Sequence, residues 1–523
     1  MEALKPTFGR ILWVDDEVDL LRPHLLLLRS EGYSVDATMN GQDALELLST
    51  RSYDLVLLDE QMPGLRGIEV LERVRSVSPR LPVVMVTKSE EDSTMHEAIG
   101  RRADDYIVKP TSPRQVLSVV TRILAGPALQ HEQIARDFSR RFGELREMLA
   151  SASSWTDWAS LYSELIDWDL KLEGAGETGF GDILRSLMLD LSRGFCDLVT
   201  EQYGDWVHED GESGPTLSVD ILNRFFQPIL SEDPSGVFVV MDCMQLGQWR
   251  AIMPILSEYF EIEEELYASI LPTATPFARN ALFGAVFPDE LAEMRPEWWE
   301  RGDQIGFNSF EDELFKGVIH KLAGAKLPTH YEKIFTAAQG KAMLNRLGGY
   351  LSSPSATALV FGFVDMLTHG RAESRLIWEM ARDTSALRSL TVTWFERSPA
   401  LAALKLAAQR GVRVLLTTDH GSVHCHRPAT IYAKRDATAN LRYKFGEDLR
   451  VENPDAAFLT GDADELRLPP GSMNQRYALC REDYFFVYPT KLREYQNRYR
   501  DNFLHGGVSP DEMVLPVALL TPR

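Results

Sequence analysis

A chain of 523 residues is too long for one ordinary hydrophobic core, so several domains are expected. With 44% hydrophobic and 25% charged residues and no long Pro, Gly or Ser tract, it is neither a disordered nor a fibrous protein. A formal charge of -22 excludes duplex DNA binding through a general positive field, and an acidic substrate would need local help such as metals.

Taken in chain order, the opening MEALKPTFGR has no apolar export segment, and the most apolar later stretch, ATALVFGFVDML, is short and contains Asp365. A cytoplasmic protein without a membrane span is expected. Cys196, Cys243, Cys425 and Cys480 are widely spaced with no CxxC pair, which signals neither a disulfide framework nor a cysteine zinc knuckle.

The runs ILWV, YSVDATM, DLVLLD, PVVMVT and DYIVKP alternate with stretches of helix length, the pattern of a parallel sheet covered on both faces. From about Gln130 to Leu217 the strand signal stops, and SWTDWASLYSELIDWDLKLE and GFGDILRSLMLDLSRGFCDLV carry helical apolar spacing. Strands return in VFVVMD, ALVFGFVD, VRVLLTTD and MVLPVALL, separated by long helical intervals. The expectation is an α/β domain over 8–125, a helical linker module over 130–217 and a larger α/β domain over 218–523.

Asp15 and Asp16 follow ILWV, and Asp59 ends DLVLLD. In a parallel sheet those strand ends share one edge, where ligands bind. Clustered carboxylates there can hold Mg²⁺, which neutralises an incoming phosphoryl group, and Asp59 can act as the nucleophile. Thr87 supplies a hydroxyl for a phosphoryl oxygen, and Lys109, before Pro110, supplies an ammonium. Residue types in this order resemble the receiver domain of response regulators. The resemblance implies a flavodoxin-like fold of strand order 2-1-3-4-5 and phosphorylation of Asp59 by a sensor histidine kinase. It also implies direct Mg²⁺ ligation by Asp16 and Asp59 with Asp15 close by, a ligating carbonyl on Gln61, and a switch role for Tyr106.

In the C-terminal half, Asp242 ends VFVVMD, and Asp419 and His420 end VRVLLTTDH. Asp365 and His369 are four apart, so one helical turn puts them on one side, and His505 follows in LHGG. Oxygen and nitrogen donors of this kind suit Zn²⁺ or Mn²⁺, and two sets suit a pair of ions clamping a phosphate. ILPTATPFARN runs into a helical stretch and offers Thr273 or Thr275 as a hydroxyl at a helix N-terminus. The basic and aromatic run IYAKRDATANLRYKFGEDL, with Arg435, Arg442 and Lys444, reads either as a nucleotide-holding surface or as a solvated hairpin edge. His424 and His426 read as ordinary loop residues.

This ordered set resembles the alkaline phosphatase superfamily, and LPTAT, TTDHGS and HGGVSPDEMVLPV resemble its PglZ branch. Receiver plus PglZ resembles the PorX-type regulators. That resemblance implies two zinc ions, one held by Asp242, Thr275, Asp419 and His420 and one by Asp365, His369 and His505, with Thr275 attacking phosphorus. Asn280 lies five residues after Thr275 rather than three, which leaves Thr273 open and the role of Asn280 undecided. The resemblance further implies phosphodiesters, cyclic or short linear oligonucleotides, as substrates and homodimerisation on phosphorylation. The competing reading is a binding output that contacts a sigma factor or a secretion-system component. A DNA-reading output would need a basic recognition helix, which the helical stretch does not offer.

Overall fold

The computed structural model describes residues 8–88, 103–174, 179–208, 214–297, 307–434 and 437–523. Its described residues form two compact units, one up to Phe138 and one from Ser139 onward.

The first unit is built on five strands, β1 (Arg10–Val14), β2 (Ser34–Thr38), β3 (Leu55–Asp59), β4 (Val83–Thr87) and β5 (Asp105–Val108), in the order β2-β1-β3-β4-β5 and all parallel. Strand period places alternate side chains on opposite faces, so both faces need apolar cover. Ile11, Trp13, Leu55 and Leu57 pack with Leu25, Leu28, Val116 and Val120 on one side. Leu12, Val14, Val56 and Leu58 pack with Val70, Leu71 and Val74 on the other. The flavodoxin-like fold and its strand order are therefore as expected from the sequence.

The helical stretch contains three long helices, Gly126–Ser151, Trp155–Gly174 and Gly181–His208. From Ser139 onward these residues pack within the second compact unit. The reason lies in their buried stripes, Leu161, Tyr162, Leu165 and Ile166 on one helix and Leu191, Phe195, Val199 and Tyr203 on the next, which need more cover than two helices can give each other.

The second unit centres on a six-stranded sheet. Its members are β6 (Gly236–Met241), β7 (Phe260–Ala268), β8 (Thr329–Ile334), β9 (Ala356–Phe361), β10 (Val414–Thr417) and the C-terminal strand Val514–Pro522. The order is β7, the C-terminal strand, β10, β6, β9, β8. Strands β10, β6, β9 and β8 are mutually parallel, and the C-terminal strand runs antiparallel to both of its neighbours. Phe238 and Val240 of β6 pack with Phe226, Phe283 and Phe315 in the main core. This leaves the C-terminal ends of β6, β9 and β10 side by side at one edge, where open parallel sheets bind ligands. Among the described residues, no helix is long and apolar enough to cross a membrane. The four cysteines are free and buried.

Candidate functional sites

In the first unit, Asp15, Asp16 and Asp59 bring carboxylate oxygens within 4.8 Å of one another. Lys109 Nζ donates to Asp15 Oδ2 at 2.8 Å and to Asp59 Oδ2 at 3.0 Å. Asp59 is 1% exposed and its Oδ1 accepts no hydrogen bond. A buried carboxylate oxygen without a donor is costly unless a cation or a reacting group meets it, and three carboxylates fit a hard divalent ion such as Mg²⁺. Burial pushes the Asp59 carboxyl up, with Lys109 opposing and Asp15 adding to the rise. For Lys109 burial acts downward, but hydrogen bonds to Asp15 and Asp59 outweigh it and raise the ammonium. Thr87 is buried at the end of β4, Gln61 is exposed two residues beyond β3, and Tyr106 on β5 is exposed.

In the second unit, the strand ends assemble two groups of ligand atoms. Asp242, directly after β6, meets Asp419 and His420, beyond β10, and Asp365 and His369 meet His505. Asp365 and His369 share helix Phe363–Glu373, which starts two residues after β9, so helical period sets one above the other. His369 Nε2 lies 3.3 Å from Asp365 Oδ1, and His505 Nε2 lies 3.2 Å from His369 Nε2. The His420 and His505 rings stack at 4.3 Å, joining the two groups.

Thr275 opens helix Thr275–Gly284 and is partly exposed. Its Oγ1 lies 2.9 Å from His420 Nε2. The other ring nitrogen, Nδ1, is 3.0 Å from the Gly421 carbonyl, which can only accept, so Nδ1 carries a proton and donates there. Thr273 is fully buried; its hydroxyl donates to the Gly507 carbonyl at 2.7 Å and accepts from Gly506 N–H at 3.1 Å. Of the two hydroxyls left open by the sequence, Thr273 thus supports the His505 turn and Thr275 faces the ligand groups. Asn280 is buried on the same helix and donates to the Pro276 carbonyl at 3.0 Å, while Asn308 Nδ2 reaches the Thr275 carbonyl at 3.0 Å and Asn280 Oδ1 at 3.5 Å.

The donor set fits metal. Asp242 Oδ1 and Asp419 Oδ2 are buried and accept no hydrogen bond, and the convergence of two imidazole nitrogens on one carboxylate oxygen is the arrangement a zinc-type ion satisfies. Burial, opposed by Arg279 and reinforced by Asp419 and Asp365, pushes the Asp242 carboxyl well up from the usual carboxylate range. Burial and the neighbouring His420 hold His505 well below the usual histidine range. For Asp365 burial acts upward, but His369, His505 and His420 outweigh it and keep the carboxylate ionised.

Three groups here were not singled out from the sequence. Arg279, one turn beyond Thr275, is 3% exposed; it donates through Nη1 to Asp242 Oδ2 and through Nε to Glu311 Oε1 at 2.7 Å. Its four-residue spacing from Thr275 was the available signal. Glu311, which also accepts from Tyr331 and Lys333, had none, being brought in from a separate helix. Cys243 occupies a left-handed backbone position, φ 66°, and donates its N–H to Asp419 Oδ1 at 3.2 Å, a strained turn that sets Asp242 against Asp419.

The substrate-facing reading of the basic stretch is corrected. Arg442 is fully buried and forks onto Glu512, and Lys444 is 2% exposed with Nζ donating to the Thr438 carbonyl at 2.5 Å. The parity of strand Tyr443–Glu447 turns Arg442 and Lys444 inward and leaves Tyr443 and Phe445 on its other face. Arg435 lies outside the described residues. His424 falls on strand Val423–Cys425 rather than in a loop, and His426 follows it; both meet Asp501, through its carbonyl at 3.0 Å and its carboxylate at 2.7 Å.

Burial pushes the Lys444 ammonium down to about 8. At pH 7 its charge is therefore disfavoured in the fold by on the order of 3 kcal/mol. Lys444→Met should stabilise the second unit at pH 7. The gain should shrink as pH rises from about 8 towards the ordinary lysine value of 10.5, above which the amine is neutral in folded and unfolded chains alike. Urea unfolding at pH 7 and pH 10 checks this, and equal gains at both would sink it.

Comparison with known proteins matches three family models. Residues 11–121 match the response regulator receiver domain, 128–207 the PorX response regulator linker domain, and 221–520 the BREX system PglZ alkaline phosphatase-like domain. The transcriptional regulatory protein ResD of Bacillus subtilis is 39% identical over 115 residues, 22% of this chain and 48% of its own length. The alginate biosynthesis transcriptional regulatory protein AlgB of Pseudomonas putida is 31% identical over 193 residues, 36% of this chain and 42% of its own. The chain thus spans about half the length of the curated relatives it matches. A solved CheY-like receiver domain protein from Methanospirillum hungatei JF-1 is 29% identical with a TM-score of 0.22, covering 23% of this chain and 96% of that one.

Proposed function

Because this chain belongs to the PorX-type response regulators, in which a receiver and linker precede a PglZ alkaline phosphatase-like domain, we propose that phosphorylation of Asp59 controls a metal-dependent phosphodiesterase whose nucleophile is Thr275. The observation that carries this reading is the Thr275 hydroxyl at a helix N-terminus, 2.9 Å from His420 Nε2 and flanked by two three-residue ligand groups.

On this reading a sensor kinase supplies the phosphoryl group, Asp59 accepts it, and Lys109 pairs with the charge that builds up. Asp15, Asp16 and Asp59, with the Gln61 carbonyl, would hold Mg²⁺, and Thr87 and Tyr106 would register the modified state. Asp59→Asn should leave no phosphoprotein after incubation with a small-molecule phosphodonor, measured on a phosphate-affinity gel. Retained labelling would remove Asp59 from its role.

In the output domain Thr275 Oγ1 forms the bond to phosphorus as the bond to the departing alcohol breaks, and water then releases the phosphoryl product from Thr275. Two ions of the zinc type, held by Asp242, Asp419, His420 and Thr275 on one side and by Asp365, His369 and His505 on the other, would supply Lewis acidity toward the phosphoryl oxygens and acidify the hydroxyl. The helix N-terminus under Thr275 favours the anionic substrate, and Arg279 holds Asp242 through one carboxylate oxygen while the other stays available. The substrate class we favour is a cyclic or short linear oligonucleotide, and the active assembly a phosphorylated homodimer, both carried by the family resemblance.

Hydrolysis of a bis-aryl phosphodiester and of the matching monoester by zinc-loaded and chelator-treated protein tests the reading. Diester turnover that chelation abolishes and zinc restores is the expected result. No turnover by metal-loaded, phosphorylated protein would overturn it in favour of a binding output.

A further inference from the structure

The segment ahead of Thr275 leaves strand β7 and has no ladder of its own, so each buried backbone donor must find a partner elsewhere. Beyond Ala268, the last residue of β7, Ser269 N–H donates to the Met513 carbonyl at 2.9 Å and Ile270 N–H to Ser218 Oγ at 3.2 Å. The next donor, Leu271 N–H, is taken at 2.7 Å by the Tyr203 hydroxyl, which comes from the linker helix Gly181–His208. Tyr203 and Leu271 are both fully buried, so water has no access to replace this bond. Pro272 offers no N–H, and the Thr273 hydroxyl is committed to the Gly507 carbonyl.

A second linker hydroxyl reaches the other side of the site. Tyr162, on helix Trp155–Gly174, donates to Asp511 Oδ1 at 2.8 Å. The Asp511 carbonyl sits in the space left by the missing side chain of Gly421, where a Cβ would lie only 1.9 Å from it. The Gly421 carbonyl in turn holds His420 Nδ1. Helix Trp155–Gly174 is itself gripped from helix Gly126–Ser151, whose Arg141 donates to both oxygens of Glu164 at 2.7 and 2.8 Å.

We propose that Tyr203 and Tyr162 are positioning residues through which the linker helices set Thr275 against His420. Tyr203 holds the turn that presents the Thr275 hydroxyl, Tyr162 holds the turn that presents His420, and the 2.9 Å contact between those two side chains is the quantity they jointly fix. A displacement of the linker helices is thereby converted into misalignment of the reacting groups, for which small errors are costly. The proposal rests on Thr275 being the nucleophile, but its structural half can be tested without that.

The experiment compares Tyr203→Phe, Tyr162→Phe and Leu187→Ala in the full zinc-loaded chain, at a temperature well below every Tm. Leu187 is buried on the Tyr203 helix more than four turns ahead of Tyr203, so its truncation lowers stability at the far end of that helix while both tyrosine hydroxyl bonds stay in place. In each tyrosine variant, kcat for the bis-aryl diester should fall about tenfold with KM and zinc content unchanged. Amide exchange should quicken about tenfold, in the peptide spanning Leu271 for Tyr203→Phe and in that spanning Gly421 for Tyr162→Phe. Leu187→Ala should lower Tm and leave kcat within about twofold. Unchanged kcat and exchange in the tyrosine variants, or an equal kcat loss in Leu187→Ala, would overturn the proposal. A parent chain that hydrolyses no phosphoester would defeat the catalytic reading alone, and the exchange rates would still decide whether the two hydroxyls hold the turns.

Discussion

Thr275→Ala is expected to lower kcat for a phosphodiester by at least about 10³-fold while leaving the fold intact and Asp242, Asp419 and His420 in place to hold the ion that Thr275 would also touch. The change removes the partly exposed Thr275 hydroxyl beside His420 and disturbs little else. His420 keeps its orientation through the Gly421 carbonyl, Asn308 still finds the backbone carbonyl of residue 275, and alanine is well tolerated in the first helical turn. Thr275→Ser, which restores a hydroxyl, should recover most of the rate. Steady-state kinetics with metal analysis and circular dichroism on the same preparations decide the matter. If Thr275→Ala stays within tenfold of the parent, another nucleophile or a directly activated water is at work. Thr273 is a poor substitute, because its hydroxyl already bridges Gly507 and Gly506 in a fully buried position.

Arg442→Met is expected to destabilise the output domain by about 3–5 kcal/mol, because it strands a buried carboxylate. Arg442 and Glu512 are both 0% exposed, and the guanidinium also donates to the Tyr484 carbonyl. Glu512 in turn accepts from Gly507 N–H at 2.9 Å and from Ser509 Oγ at 2.6 Å, so the pair anchors the turn that follows His505. Adding Glu512→Gln to Arg442→Met removes the stranded charge while keeping an acceptor for Gly507, and should recover a good part of the loss. Denaturant unfolding of parent, single and double variants measures this. A single variant within about 1 kcal/mol of the parent would mean that water or local rearrangement reaches Glu512.

Arg442 and Lys444 mark where local sequence stops specifying structure. Arg442 and Lys444 stand amid aromatic residues in an acidic chain, which suited a nucleotide surface, yet strand parity alone decides which alternate residues face inward. Shifted by one position, the same letters would have presented the two cations to solvent. Arg279 and Glu311 escaped notice for a different reason. A buried ion pair has no sequence period, and the Tyr331 and Lys333 side chains that complete it come from strand β8. Tyr203 and Tyr162 looked like ordinary core positions of amphipathic helices, because nothing local tells a buried hydroxyl which distant N–H or carboxylate it will meet.

Where chemistry rides on local period, the letters were sufficient. The continuous apolar runs in ILWV and DLVLLD specified strands buried on both faces, the acidic residues after them marked the binding edge, and the four-residue spacing of Asp365 and His369 placed both on one side of a helix. By itself, then, the sequence determined the strands, the parallel edge, the residue types gathered there and the helix N-terminus that presents a hydroxyl, because backbone geometry makes these functions of nearest neighbours. Only the tertiary structure decided that Thr275 rather than Thr273 faces the ligand groups, that Arg442 and Lys444 are interior, and that the linker helices from Ser139 onward pack in one compact unit with the output domain. Burial and partner choice arise from segments as distant in the chain as Thr275 and His420 or Tyr162 and Asp511, and only the folded packing brings those together.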